Sequence, residues 1–415
     1  MGGFKLDFDY SSARNHLLSI GACDCCIGRQ FHRLFEGMGN GTIGARVRES
    51  ESLAEAHQAT PGKTVLKKDC PLCAGLFLEI GSMTEKAAEL LKAREFNTFL
   101  VGCRIKKELM GKEESLWEEI GVMHCEPLKK NAVRQIGIAL EKTTGKEADF
   151  SNPDVTVLAD FTTGKVSLQV HPLFVYGEYR KLVRGIPQTK WFCRKCRGRG
   201  CKQCSFTGKM YEESVEELIA KLLLEETGAK DEKFHGAGRE DIDAKMLGWR
   251  PFVLELQEPV KRFVDWGGLE PKVNKSADGK VEARGLRVSS KEEVRHIKTV
   301  RHDKTYEAII ECESEPSDEA IEKLIKVFQE KELEQRTPER VAHRRADLVR
   351  KRVVHKTSLE RVGQNRLRAV ITAEAGTYIK ELISGDSERT KPAFSEFLGP
   401  CKCVELNVLE VHDDV

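Results

Sequence analysis

Several things are missing from this 415-residue sequence. No apolar run approaches the roughly 18 residues that a membrane helix needs, which excludes a helical anchor and a membrane partner. The start, Met1-Gly-Gly-Phe-Lys-Leu-Asp-Phe-Asp9, has no basic segment followed by an apolar one, so no secretory signal is read there and a cytoplasmic location is expected. Charge of one sign is not in excess: 68 Lys and Arg face 66 Asp and Glu, a net of +2, which excludes a histone-like, tail-driven polyanion binder. There is no internal repeat or low-complexity tract. G-x-x-x-x-G-K-S/T does not occur, so the P-loop phosphate cradle is absent. H-E-x-x-H and H-x-E…P-C-x-x-C are also missing. His235 has no downstream cysteine pair of the kind a zinc deaminase uses.

What the sequence does have is 14 cysteines. In a reducing compartment they read as metal ligands or buried thiols rather than disulfides. Cys193-Arg-Lys-Cys196 and Cys201-Lys-Gln-Cys204 form a tight double C-x2-C, with Gly198, Gly200 and Gly208 allowing sharp bends beside it. Two such turns supply four thiolates to one tetrahedral zinc. Cys23, Cys26, Cys70 and Cys73 make a second set whose halves are distant in sequence, so the fold has to unite them. The competing reading is two separate reduced pairs, but exposed thiol pairs without metal invite oxidation. Cys25 is a spare thiol beside the first pair. Cys103, Cys125 and Cys312 read as core residues, and Cys401 and Cys403 as strand side chains on one face. An all-cysteine set, with no open position, predicts structural zinc.

At roughly 150 residues per domain, the length predicts two or three domains. The pattern predicts a helix opening at Thr84, a strand over 99–105, a helix over 132–142, and strands over 155–161 and 165–170, a small α+β module. Ser214-Val-Glu-Glu217 is a capping box opening a helix to about Glu226, closed by Gly228. Strands follow over 252–256, 305–311 and 368–373, with a helix from Ser317 to about Glu330. Residues 273–286 read as a long mobile loop or hairpin. Charge is local rather than absent. Residues 176–202 hold nine Lys or Arg against Glu178 alone, 9 − 1 = +8, and residues 331–356 hold nine against four acids, 9 − 4 = +5. Two basic clusters, the first interleaved with Tyr176, Tyr179, Trp191 and Phe192, suit a polyanion with stackable bases. The expected RNA contacts are Arg180, Lys181, Arg184 and Lys190 in the first, and Arg336, Arg340, Arg344 and Arg345 in the second.

Gly236-Ala-Gly238-Arg239-Glu240-Asp241 is the sharpest signal outside the cysteines. In an extended segment Arg239 and Asp241 point the same way, and an acid beside positive groups stays ionised and can act as nucleophile or base. A salt-bridged turn would have the same spacing.

Gly238-Arg-Glu-Asp241 resembles the glycine–arginine–x–aspartate motif of pseudouridine synthases. The wider segment 238–252 is similar to the archaeal and eukaryotic tRNA pseudouridine synthases that modify uridines 54 and 55 of the T-loop, the Pus-ten family. Further matches are 179–191, Lys304-Thr-Tyr306, 335–340 with 343–347, 376–381 and 389–392, so the resemblance spans most of the chain and both cysteine sets. The archaeal form fits the length and the glycine-rich double pair.

The resemblance implies that Asp241 is the catalytic aspartate and that Arg239 helps open the stack for the flipped nucleotide. It implies that Tyr306 stacks on the target base and takes part in removing its C5 proton. Tyr378 and Lys380 would belong to the third motif, where the basic residue pairs with the aspartate. It implies an α+β, multi-domain fold: an N-terminal zinc-containing, THUMP-like α/β module, and a C-terminal synthase domain on a mixed, mainly antiparallel sheet flanked by helices. The expected division is a zinc-binding segment over 1–80, a THUMP-like module over 81–175, a basic zinc knuckle and connector over 176–212, and a synthase domain over 213–415. The reaction is an isomerisation without redox change, so no organic cofactor is expected; the partner is the T-arm of tRNA, and a monomer is expected. One departure is Ser387, where relatives often have an apolar residue; it puts local packing in question. The alternative is a non-catalytic, zinc-stabilised RNA-binding protein or tRNA chaperone, which would have no reason to hold Asp241, Tyr306, Tyr378 and Lys380 together. A cochaperone reading rests on a single Cys-x-x-Cys-x-Gly-x-Gly copy.

Overall fold

The computed structural model describes residues 9–342 and 346–412. Two compact units divide the chain: one running up to His171 together with Val260–Arg262, the other comprising Pro172–Pro259 and Phe263 onward.

The first unit has a four-stranded sheet. Its strands are β1 (Thr98–Arg104), β2 (Glu147–Ala148), β3 (Val155–Asp160) and β4 (Lys165–Val170), in the order β2-β1-β3-β4. β1 runs parallel to β2 and β3, and β4 is antiparallel to β3. The helices Leu76–Lys92 and Leu128–Thr144 pack on it, the second closed by Gly145 at φ +66°. Thr84 does not open a helix as expected. It sits inside Leu76–Lys92, where its hydroxyl donates to the Ile80 carbonyl at 2.9 Å, so it caps nothing. That helix also crosses the expected 80/81 boundary. Cys23, Cys26, Cys70 and Cys73 share one apolar core with Leu17, Phe31, Phe99 and Val157, so the cysteine segment and the sheet fold as one body. Helices Asp24–Gly28 and Asn40–Glu49 cross through Gly28 and Gly44, where a Cβ would collide with the backbone of Asn40 or Asp24.

The second unit is built on a ten-stranded sheet: β5 (Leu173–Lys181), β6 (Asp231–Gly236), β7 (Lys245–Gln257), β8 (Val281–Ser289), β9 (Lys304–Cys312), β10 (Lys331–Arg336), β11 (Val349–Gly363), β12 (Arg366–Ala373), β13 (Thr390–Lys391) and β14 (Cys401–Val411). The order is β13-β10-β11-β12-β9-β14-β7-β5-β8, with β6 on β7. Among the described residues only the β14–β7 pair is parallel, so the sheet is mixed and mainly antiparallel as expected. β9 lies at its centre, alternating buried and half-buried residues, and presents Tyr306 opposite Ile371 and Val408. Helix Val215–Thr227 begins at Ser214, whose hydroxyl accepts from the Glu217 amide at 3.2 Å and donates to its carboxylate at 2.7 Å. Gly228 ends it at φ +62°.

Two expectations fail here. Residues 273–286 are not a loop: they hold the end of helix Trp266–Ser276 and the start of β8. Trp266, Leu269 and Val273 bury one helical face, and Asp265 caps it, beneath a sequence that is polar elsewhere. The 176–212 connector is not a separate element either. β5 begins before it, at Leu173, and pairs with β7 and β8 inside the large sheet. No helix of the described residues is long and apolar enough to cross a membrane.

Candidate active site

The loop between β6 and β7 carries the aspartate motif. Gly238 adopts φ +82°, and a Cβ there would lie 3.0 Å from Arg250 Nη1, so this turn needs glycine on both counts. Arg239, Glu240 and Asp241 all line a cavity of about 910 Å³, with Arg239 exposed, Asp241 half-buried and Glu240 buried between them. Glu240 anchors the loop from below. Its carboxylate accepts from Tyr179 Oη at 2.8 Å and faces Arg250 Nε at 3.2 Å and Lys181 Nζ at 3.9 Å. Gln188 bridges the Tyr179 hydroxyl and the Gly238 carbonyl, at 2.8 and 2.9 Å. Burial first, and Glu240 second, push the Tyr179 hydroxyl well above its ordinary pKa, so it stays a hydrogen-bond donor.

Lys181 was expected on the RNA-facing surface, and the structure corrects this. Its side chain has no exposure; Nζ donates to the carbonyls of Ile186, Asp241 and Ile242 at 3.1, 3.1 and 3.2 Å. Burial lowers its pKa, against the pull of Glu240. It holds the backbone of the aspartate instead of reaching a ligand.

The cavity brings together Arg239, Asp241, Tyr306, Tyr378 and Lys380, from three separate stretches of chain. Tyr306 rises from the floor on β9; burial, outweighing the nearby Arg250, pushes its hydroxyl up to about 12, so it is a neutral phenol at physiological pH. Tyr378 precedes the helix Ile379–Ser384, and buried Gln335 grips its backbone, accepting from the amide at 2.8 Å and donating to the carbonyl at 2.9 Å. Arg239 lies over the Trp191 ring, 5.1 Å from its centroid, and Trp191 packs edge-on against Tyr211 at 5.6 Å.

The pairing around Asp241 differs from the expected one. Lys380 Nζ is 3.6 Å from Asp241 Oδ2 but 2.7 and 2.8 Å from the two oxygens of Asp243, a residue the sequence reading passed over. Burial works against the Asp243 charge, yet Lys380 holds its carboxyl below the usual carboxylate range. Arg340 takes the nearer place: Nη1 is 3.2 Å from Asp241 Oδ1, and Nε is 2.6 Å from buried Glu381. Burial opposes the Arg340 charge, and the two carboxylates more than restore it. No sequence signal gives this: the 335–340 and 376–381 motifs meet only in the fold, through Gln335 on Tyr378 and Arg340 on Glu381.

The other expected RNA contacts are mostly paired. Arg180 stacks on Trp249 at 4.4 Å and lies 3.9 Å from Glu282. Arg184 binds the Asp243 and Leu406 carbonyls, Glu405 and Asn407. Lys190 meets Glu232 at 2.5 Å, and Arg336 meets Asp347 at 2.6 Å. Arg344 and Arg345 lie outside the described residues. Ser387 is exposed, so the departure there falls outside the core packing; it lines a smaller cavity with Arg336 and Arg389.

Both cysteine sets assemble. In each, four sulfurs lie within 4.8 Å of one another. Contacts of 3.7 Å (Cys23–Cys73), 3.9 Å (Cys193–Cys201) and 3.8 Å (Cys196–Cys204) match the roughly 3.8 Å edge of a tetrahedron with metal–sulfur bonds of about 2.3 Å. Either set could hold a metal ion. Burial resists ionisation of Cys204, but the Cys201 and Gly208 amides draw its thiol down to about 6, as a ligand thiolate requires. Cys25 lies outside the four, and burial pushes its thiol up to about 12.

The sequence profile of the Pus10 C-terminal domain matches residues 174–412, and that of the archaeal Pus10 THUMP domain matches residues 83–160. The chain belongs to the Pus10 family. Relatives called tRNA pseudouridine synthase Pus10 include that of Methanocaldococcus jannaschii, 45% identical over 84% of this chain and 76% of its own length. Those of Methanothermobacter marburgensis (43%, 94% of both chains) and Methanothrix thermoacetophila (39%, 97% of this chain and 94% of its own) match almost throughout. Among solved structures, a Cbf5-Nop10-Gar1 complex matches at TM-score 0.32 and 16% identity over 56% of this chain and 47% of that one, too distant to carry an argument. The Pus10 C-terminal match contains every residue lining the large cavity and the second cysteine set. The Pus10 THUMP match begins beyond the first set.

Proposed function

We propose that this chain is a tRNA pseudouridine synthase that isomerises uridine 54, uridine 55 or both in the T-loop, with Asp241 as the catalytic carboxylate. The observation that carries the reading is the convergence of Asp241, Arg239, Tyr306, Tyr378 and Lys380 on one cavity of nucleotide-accepting size, in a chain of the Pus10 family. A uridine has to leave its stack to reach Asp241. Arg239, exposed at the rim, is placed to enter the gap, and the Tyr306 ring on the floor to support the base. The neutral phenol of Tyr306 favours stacking and hydrogen bonding over a standing phenolate base. Asp241, between Arg340 and Lys380, serves as a carboxylate at C1′ of the sugar or C6 of the base. The glycosidic N1–C1′ bond breaks, the base turns, C5 bonds to C1′, the C5 proton leaves and N1 takes up a proton, so atoms and electrons balance without a cofactor.

The proposed partner is the T-arm of tRNA, met by a single protomer. Zinc in both cysteine sets would have a structural part, since four thiolates leave no open coordination position. An unmodified tRNA transcript, incubated with the protein and mapped for pseudouridine, tests the reading. Product in the T-loop is expected, and absence of product at both positions rejects the assignment.

A further inference from the structure

Most of the cations expected to touch RNA are already paired, so the RNA-facing charge must sit elsewhere. The cysteine turn between Trp191 and Glu212 is the place. It carries Arg194, Lys195, Arg197, Arg199, Lys202 and Lys209 and no acid. Among the described residues, Lys209 alone of these six forms an ion pair, with Glu217 at 2.6 Å. A divalent ion with four thiolates carries −2, so the basic residues exceed what neutralises it, 6 − 2 = +4.

The same turn exposes aromatic rings. Phe192 is 59% and Phe206 71% exposed, both outside any apolar core. Phe206 stands at φ +62° after Ser205 at φ +49°, a backbone region unfavourable for a bulky residue. Its amide donates to the Cys201 carbonyl at 2.9 Å, so closing the cysteine loop fixes this conformation and presents the ring to water. Neighbouring Gly200 permits it: a Cβ there would come within 2.7 Å of the Phe206 carbonyl oxygen. Phe192 directly follows Trp191, which lines the large cavity. The aromatic and basic surface therefore starts at the cavity rim.

We infer that residues 192–211 form a stacking platform for unpaired nucleotides of the substrate RNA. Phe192 and Phe206 take base faces, and Arg194, Lys195 and Arg197 take phosphates. Exposed rings among unpaired cations suit a single strand, which offers π-faces and charge together. The inference rests on the proposed reaction for the identity of the RNA, but its test reads binding alone.

The test is a titration of the full chain against an unmodified tRNA transcript at several salt concentrations, with metal content measured for each variant. Phe206→Ala should weaken binding by roughly 5- to 150-fold at an unchanged salt slope, the loss expected for one stacked base. Phe206→Trp should restore affinity where Phe206→Leu does not, which separates stacking from bulk and serves if the alanine variant loses metal. Arg194→Gln with Arg197→Gln should reduce the salt slope by about 0.7 per phosphate contact removed. Equal tRNA affinity in Phe206→Leu, Phe206→Trp and the parent overturns the platform. So does a Phe206 variant that changes self-association while leaving tRNA affinity intact, because the surface would then belong to a second copy. Should the parent bind tRNA yet form no pseudouridine, the reaction falls and the binding result still stands or falls by itself.

Discussion

Arg340 Nη1 lies 3.2 Å from Asp241 Oδ1, closer than Lys380 Nζ at 3.6 Å, and the same guanidinium reaches buried Glu381 at 2.6 Å. One planar fork thus ties the candidate carboxylate to the helix that follows Tyr378. Arg340→Ala is expected to lower kcat by at least tenfold, about 1.4 kcal/mol, with a smaller change in tRNA Kd. Arg340→Lys should recover part of it. Single-turnover kinetics beside a binding titration checks this. A loss confined to Kd would make Arg340 a phosphate contact, as the sequence alone suggested.

Lys181 is expected to matter for stability. Lys181→Met removes three hydrogen bonds and one buried charge beside Glu240, a loss of about 3 kcal/mol. Thermal unfolding should shift down by roughly 6–12 °C. An unchanged Tm together with weakened tRNA binding would contradict the buried placement.

Tyr10 and Tyr306 have hydroxyls pushed up to about 12, and Tyr179 is raised well above its ordinary value, each chiefly by burial. A raised folded-state pKa means that the folded chain holds the proton more tightly. The associated stability is complete below about pH 10 and is lost as pH rises through 12. Spectrophotometric titration should show a tyrosine fraction ionising only with unfolding. All six ionising together near pH 10 in the folded chain would refute this.

The two cysteine sets should differ in what they support. Cys23, Cys26, Cys70 and Cys73 are all buried in the core of the first unit, whereas Cys201 and Cys204 are only half-buried. Cys26→Ser should cost one metal ion and unfold the first unit, and Cys196→Ser should cost one ion with the large sheet intact. Elemental analysis with hydrogen exchange distinguishes these outcomes. Two ions per chain in either variant would remove that set as a metal site.

Where one residue pattern carried the signal, the sequence was legible. The Ser214 capping box, the 155–170 hairpin and the 193–204 cysteine set follow from spacing, whereas Cys23, Cys26, Cys70 and Cys73 are united only by the fold. Helix Trp266–Ser276 was hidden because only three apolar residues mark its buried face in a polar stretch. The partners of Asp241 were hidden for another reason. Arg340 and Lys380 are distant from it in sequence, and which cation lies nearer, and that Lys380 turns to Asp243, depends on packing. Lys181 and Arg184 read as surface charge, yet a basic run can equally supply the donors that backbone carbonyls need.

The central claim is that Asp241 performs chemistry on a tRNA uridine. Its most direct test is Asp241→Asn beside the parent, on the same unmodified tRNA transcript, reading pseudouridine in the T-loop and tRNA affinity together. The parent should form pseudouridine, and the variant should form none while binding tRNA with similar affinity. Pseudouridine formation by Asp241→Asn at the parent's rate would contradict the account.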